Sequence, residues 1–131
     1  MGGMGTTQTA TYKGSRNNYL NSITVTGYDL TPEFKKTNNT YFLTVGNEVT
    51  NVSVNTTKED SSAVVTASGN TNLKVGLNKV LISVLAKNGD VRYYRIYVTR
   101  QSLDETLTWI IHKISFRNFS SVITKRGLDY E

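Results

Sequence analysis

Between Asn78 and Arg100 two strand-length runs flank an Asn88-Gly89 dipeptide: Lys79-Val-Leu-Ile-Ser-Val-Leu-Ala86 and Val91-Arg-Tyr-Tyr-Arg-Ile-Tyr-Val-Thr99. Side chains along a strand alternate between its faces, and facing residues of an antiparallel pair share a face. On the first arm Val80, Ile82, Val84 and Ala86 form a purely apolar set; on the second, Tyr94, Ile96 and Val98 form the best one. A two-residue Asn88-Gly89 loop would set Ile82 against Arg95 and turn a guanidinium into the core. A Lys87-Asn88-Gly89 loop instead sets Ile82 against Tyr94 and Val80 against Ile96. The dipeptide alone suggests the shorter turn, but burial selects the longer one. The prediction is a type I turn with a G1 bulge, Gly89 taking the left-handed conformation.

The same parity sends Leu81, Leu85, Tyr93 and Tyr97 to the outer face, with Arg95 among them. Scattered surface hydrophobics mean little, but neighbours on one sheet face form a patch that something covers or binds. The tail offers a cover. Ser102-Leu-Asp-Glu105 has the capping-box pattern, and Leu103, Leu107, Ile110, Ile111 and Ile114 recur at helical spacing. We read an amphipathic helix over about 103–116, its apolar face laid across the outer patch. A strand competes for the same segment, because Thr108–Phe116 is rich in β-branched and aromatic residues and Trp109 and Phe116 fall on the opposite side of the helix.

Upstream, short strands separated by turn signals set the rhythm of a β-sandwich. We expect strands near Leu20–Thr26, Thr40–Val45, Val49–Asn55, Ala63–Ser68, Lys79–Lys87 and Val91–Thr99, with a further short strand or turn near Asn72–Val75. At 131 residues the chain suffices for one domain with a real core. Residues 1–18 read as a flexible lead or cloning scar, 19–101 as the domain, and 102–131 as a tail that loosens after the helix.

These residues resemble a known family. Leu20 with Ile23-Thr-Val-Thr-Gly27, Leu30-Thr-Pro-Glu-Phe34, Tyr41-Phe-Leu-Thr-Val45, Val49–Val54, Ala63–Ala67 and the hairpin are similar to the cadherin-like β-sandwich modules of bacterial surface and secreted proteins. The resemblance covers about 19–101 and rests on core and turn positions, so it speaks to fold more than to function. It implies an all-β, immunoglobulin-like antiparallel sandwich of about seven strands, with the C-terminal helix as an addition. It also implies an exported, non-catalytic structural or adhesive module strung beside neighbouring domains of a longer chain. Export would place it outside the cell or on its surface, with the signal beyond this stretch. The tail departs from the family pattern and reads as a linker, a covering element or cloned-in sequence.

Signatures of chemistry are sparse. The chain has no cysteine, which removes disulfides and thiolate chemistry. His112 is the only histidine and the sequence offers no second imidazole and no cysteine beside it, so a triad or zinc site is not expected. The acidic pairs Glu59-Asp60 and Asp104-Glu105 read as a solvated loop and helix N-terminal charge, not as calcium ligands. Gly2-Gly-Met-Gly5 follows no strand and cradles no phosphate. The sequons at Asn38, Asn51, Asn55 and Asn118 read as chance matches in an Asn/Thr-rich chain.

A net charge of +5 is spread in single residues and pairs, the pattern of a solvated surface rather than a nucleic-acid footprint. No apolar run reaches membrane-spanning length. We therefore expect no catalytic residues, metal or cofactor. The candidate ligand or partner patch is Tyr93, Arg95, Tyr97, Leu81 and Leu85, with Phe42 as a further member. It could stack cell-wall or host glycans through aromatic faces. Ordinary cross-strand aromatic pairing is the structural alternative.

Overall fold

The computed structural model describes residues 14–117. The expectations placed on 1–13 and 118–131, including the Asn118 sequon and the end of the tail, lie outside those residues. Six strands and a helix follow in order: β1 (Leu20–Val25), β2 (Thr40–Val45), β3 (Val54–Lys58), β4 (Val64–Ser68), β5 (Gly76–Leu85), β6 (Val91–Arg100) and α1 (Leu103–Arg117). β1 pairs with β3, and the other four strands form a sheet in the order β2-β6-β5-β4. The expected sandwich is present, with six strands among the described residues in place of about seven.

The hairpin has the predicted register. Val80 faces Ile96 and Ile82 faces Tyr94. The Ala86 N–H donates to the Asp90 carbonyl at 2.8 Å, the Gly89 N–H returns to the Ala86 carbonyl at 2.9 Å, and Gly89 has φ +101°. Alternation then builds one core: Val80, Ile82, Val84, Tyr94, Ile96 and Val98 meet Leu20, Ile23 and Val25 of β1 and Tyr41, Leu43 and Val45 of β2.

Three features depart from the expectation. First, the sandwich is not wholly antiparallel, because β2 runs parallel to β6 with Phe42 opposite Tyr97. Parallel neighbours require a long crossover, supplied here by the path through β3, β4 and β5. Second, residues 49–53 are not a strand; β3 begins at Val54. That stretch is held by loop bonds instead, Val52 N–H to the Asn70 carbonyl (2.9 Å) and Leu73 N–H to the Thr50 carbonyl (2.8 Å), which bring buried Val52 and Leu73 into the core. The 72–75 stretch is a bent, irregular segment and not a strand, with Asn72 at φ 54°. Third, a register shift between Leu20 and Ser22 lets Leu20 and Ile23 both point inward although they are three apart.

Two buried tyrosines carry polar handles into this core. The Tyr41 hydroxyl donates to the Lys35 carbonyl (2.8 Å) and accepts the Lys35 N–H (3.0 Å). The Tyr94 hydroxyl donates to the Lys36 carbonyl (2.8 Å) and accepts the Leu20 N–H (3.2 Å). Phe34 packs on both rings, at 5.8 and 6.2 Å between centroids. The 34–36 loop is thereby fastened to β2 and β6 of the four-stranded sheet, and the Tyr94 hydroxyl ties that contact to β1 through Leu20.

The last residues of the expected flexible lead are tied down. The Ser15 hydroxyl bonds the Asp60 carboxylate, the Asn88 N–H donates to the Ser15 carbonyl, and Arg92 Nε donates to the buried Asn18 side chain. Residues 14–18 thus lace the hairpin tip to the β3–β4 loop.

The helix forms with both halves of its capping box. The Ser102 N–H donates to Glu105 Oε1 (2.7 Å), and the Glu105 N–H donates to Ser102 Oγ (3.2 Å). It does not cover the outer patch. Its anchor is Thr106, whose hydroxyl accepts the Asn47 N–H at 2.7 Å at the far end of the sheet from the hairpin tip. Trp109 and Ile110 flank a groove of about 380 Å³ against Tyr28, Gly46 and Glu48. Amphipathic spacing says that a helix has an apolar face, not which surface that face meets. Here Leu103, Leu107 and Ile111 remain exposed.

Candidate functional site

With the helix elsewhere, no element among the described residues lies over the outward face of β2-β6-β5-β4. Register places its residues in rows. Leu85 lies opposite Val91 and beside Val64; Ser83 lies opposite Tyr93 and beside Thr66. Leu81 lies opposite Arg95, which is beside Thr40; Lys79 lies opposite Tyr97, which is beside Phe42. The five predicted residues Leu81, Leu85, Tyr93, Arg95 and Tyr97 therefore share one face. Phe42 joins them: its ring stacks on Tyr97 at 5.6 Å between centroids and 25° between planes. This is the offset stacking that aromatic quadrupoles favour.

Phe42 is 50% exposed and Tyr93 44% exposed, so the aromatic surface is wet. Between them sits Arg95, partly exposed, its backbone N–H donating to the Asn39 carbonyl at 2.7 Å. Lys79 is exposed beside Tyr97 and was missed by sequence reasoning. Its signal was available, since it lies two residues before Leu81 and the three-residue loop fixes its partner as Tyr97. No acidic side chain occupies a position on this face in β2, β4, β5 or β6. The two ion pairs among the described residues, Arg16–Asp90 and Lys36–Glu59, lie elsewhere. What the face can do chemically is stack flat apolar surfaces and attract anions.

A second cluster lies beside the hairpin tip. The Tyr19 ring has Arg92 at 4.0 Å and Lys36 at 5.0 Å from its centroid. Lys36 Nζ bonds Glu59 at 2.8 Å, which raises the Lys36 pKa; the same bond, helped by Asn17, lowers that of Glu59. Asp60 is held down to about 2, first by the Ser15 hydroxyl and then by the Ser62 N–H and hydroxyl. Burial pushes the Tyr94 phenol up. These groups are bonded to one another and to loop backbone, as structural clasps are.

An open groove of about 570 Å³ runs beside Tyr28, Leu30, Glu33 and Phe34 and carries no paired acid and base. His112 is exposed on α1, beside Asp104, Thr108 and Trp109. Among the described residues no three His, Asp or Glu side chains converge in the manner of a metal site. No helix among them is long and apolar enough to cross a membrane.

The fold and this site define a β-sandwich domain whose candidate surface is an open sheet face. A family model, the Cadherin-like beta sandwich domain, matches residues 20–101, and the chain belongs to that family. No curated protein and no solved structure matches the chain. Domains of this family are generally non-catalytic, are commonly extracellular, and suggest a structural or adhesive role.

Proposed function

We propose that this domain is a non-catalytic extracellular spacer of a surface or secreted protein, set in line between neighbouring domains. The observation that carries this reading is the separation of its entry and exit. Residues 14–19 bond to the hairpin tip and the β3–β4 loop, while the chain leaves β6 through Arg100 and Gln101, bonded to Asn47 and Val45. β6 spans ten residues between those ends, roughly 33 Å at about 3.3 Å per residue. Tension applied at entry and exit would run along the strands. β1 would be pulled along β3, and β6 along β2 and β5, so many ladder bonds would have to break together.

Pulling geometry tests this directly. In single-molecule stretching, handles at residues 14 and 101 should give one cooperative rupture at high force. Handles at 14 and 89, both at the hairpin end, should open the sandwich at clearly lower force. Equal forces would remove the spacer reading.

A second reading is favoured by the exposed Phe42–Tyr97 stack with Tyr93 and Arg95: a carbohydrate- or cell-wall-binding face. Titration of glycans with amide shifts followed at Tyr93, Arg95 and Tyr97 tests it. Shifts confined to other parts of the molecule would reject this face.

A further inference from the structure

We infer that the open sheet face takes an acidic glycan, its sugar rings on the Phe42–Tyr97 stack and its carboxylates or sulfates on Arg95 and Lys79. This deepens the glycan-binding reading and rests on it. The placement follows from register. Lys79 is opposite Tyr97 and Leu81 is opposite Arg95, so Lys79 and Arg95 are diagonal neighbours, with Cβ atoms roughly 7 Å apart. Like charges set that close on a sheet face repel. Neither enters an ion pair among the described residues, and the strands contribute no acidic side chain to the face.

An anion lying across both cations relieves that repulsion. The stack beside them offers a flat, half-exposed apolar surface, suited to the apolar face of a pyranose ring. A neutral glycan would use the stack and leave the cations unpaired. An acidic peptide would use the cations, but it has no need of a flat ring platform. A polymer that alternates ring faces with regularly spaced anions uses both.

Binding to polygalacturonate, with dextran as the neutral comparison, tests the inference by affinity electrophoresis and amide shifts. The intact domain should be retarded by polygalacturonate at least tenfold more strongly than by dextran, with shifts at Lys79, Tyr93, Arg95 and Tyr97. Raised salt should weaken the interaction. Lys79→Gln with Arg95→Gln should abolish the preference, while Lys58→Gln with Lys74→Gln, removing equal charge elsewhere, should retain it. Phe42→Ala should weaken both polymers' binding, and unchanged circular dichroism would show that each variant is folded.

Equal retardation by the two polymers would overturn the acidic class and leave the platform standing. Retardation by neither would overturn both readings. A preference that survives loss of Lys79 and Arg95, or equal competition by single-stranded DNA, would show general polycation attraction and overturn the inference.

Discussion

Removing one oxygen from Tyr94 tests the alternation that organises this domain. Tyr94 is fully buried, and its hydroxyl both donates to the Lys36 carbonyl at 2.8 Å and accepts the Leu20 N–H at 3.2 Å. Tyr94→Phe keeps the ring on Phe34 and deletes both bonds. A typical intramolecular hydrogen bond contributes about 1 kcal/mol net, and a buried donor left unpaired costs about 1–3 kcal/mol more. Leu20 is wholly buried, so its N–H has no ready substitute, whereas Lys36 is an exposed residue of a loop. The expected loss is about 3 kcal/mol, or on the order of 10–20 °C in melting temperature for a domain of this size.

Tyr93→Phe is the matched control, because Tyr93 is 44% exposed on the other face; its cost should stay within about 0.5 kcal/mol. Urea unfolding of the three proteins, with unchanged m-values, reads both numbers. If Tyr94→Phe were neutral, or if Tyr93→Phe cost as much, the assignment of inner and outer faces would be refuted.

Other outcomes follow from the same contacts. Ending the chain at Gln101 should cost only about 1–2 kcal/mol, the value of the Asn47–Thr106 bond and its local packing, and should leave the amide signals of Leu81, Tyr93 and Tyr97 in place. Large shifts there would mean that the tail does cover the face. Gly89→Ala, with φ +101° and open space around the new Cβ, should cost about 1–2 kcal/mol. Gly69→Ala should cost more, because its Cβ would run into the backbone carbonyl oxygen of Lys79. Equal penalties would contradict that packing.

Asp60 has its folded pKa lowered from 3.8 to about 2, so its contribution is complete above its unfolded value and is lost as pH falls through about 2. The stability gap between the parent and Asp60→Asn, read from urea midpoints, should therefore close as pH drops from 5 to 2. A gap constant with pH would reject the Ser15–Asp60–Ser62 clasp.

The hairpin was legible from sequence because two local constraints, the Asn-Gly turn and the ban on burying Arg95, meet within 23 residues. Lys79 followed from the same parity and was overlooked. The β2–β6 parallel pairing was not legible, since alternation within Thr40–Val45 says which side is apolar but not which distant strand lies alongside. Val49–Asn55 imitates a strand, yet pairing starts only at Val54, and Thr50 and Val52 bond Leu73 and Asn70 in a loop that no local pattern reveals. The helix was readable from its cap and period, whereas its docking depended on a single threonine meeting a distant turn. Residues 14–18 looked loose because their Ser, Arg and Asn side chains find partners only far along the chain, at Asp60, Asp90 and Arg92.

The central claim is that one face of the hairpin is core and the other is open surface. Nitration of tyrosines in the native protein, mapped by mass spectrometry, puts that claim to adjacent residues. Tyr93 should be modified readily and Tyr94 should be protected until the domain unfolds. Early nitration of Tyr94 would contradict the register, and native-state protection of Tyr93 would contradict the open face.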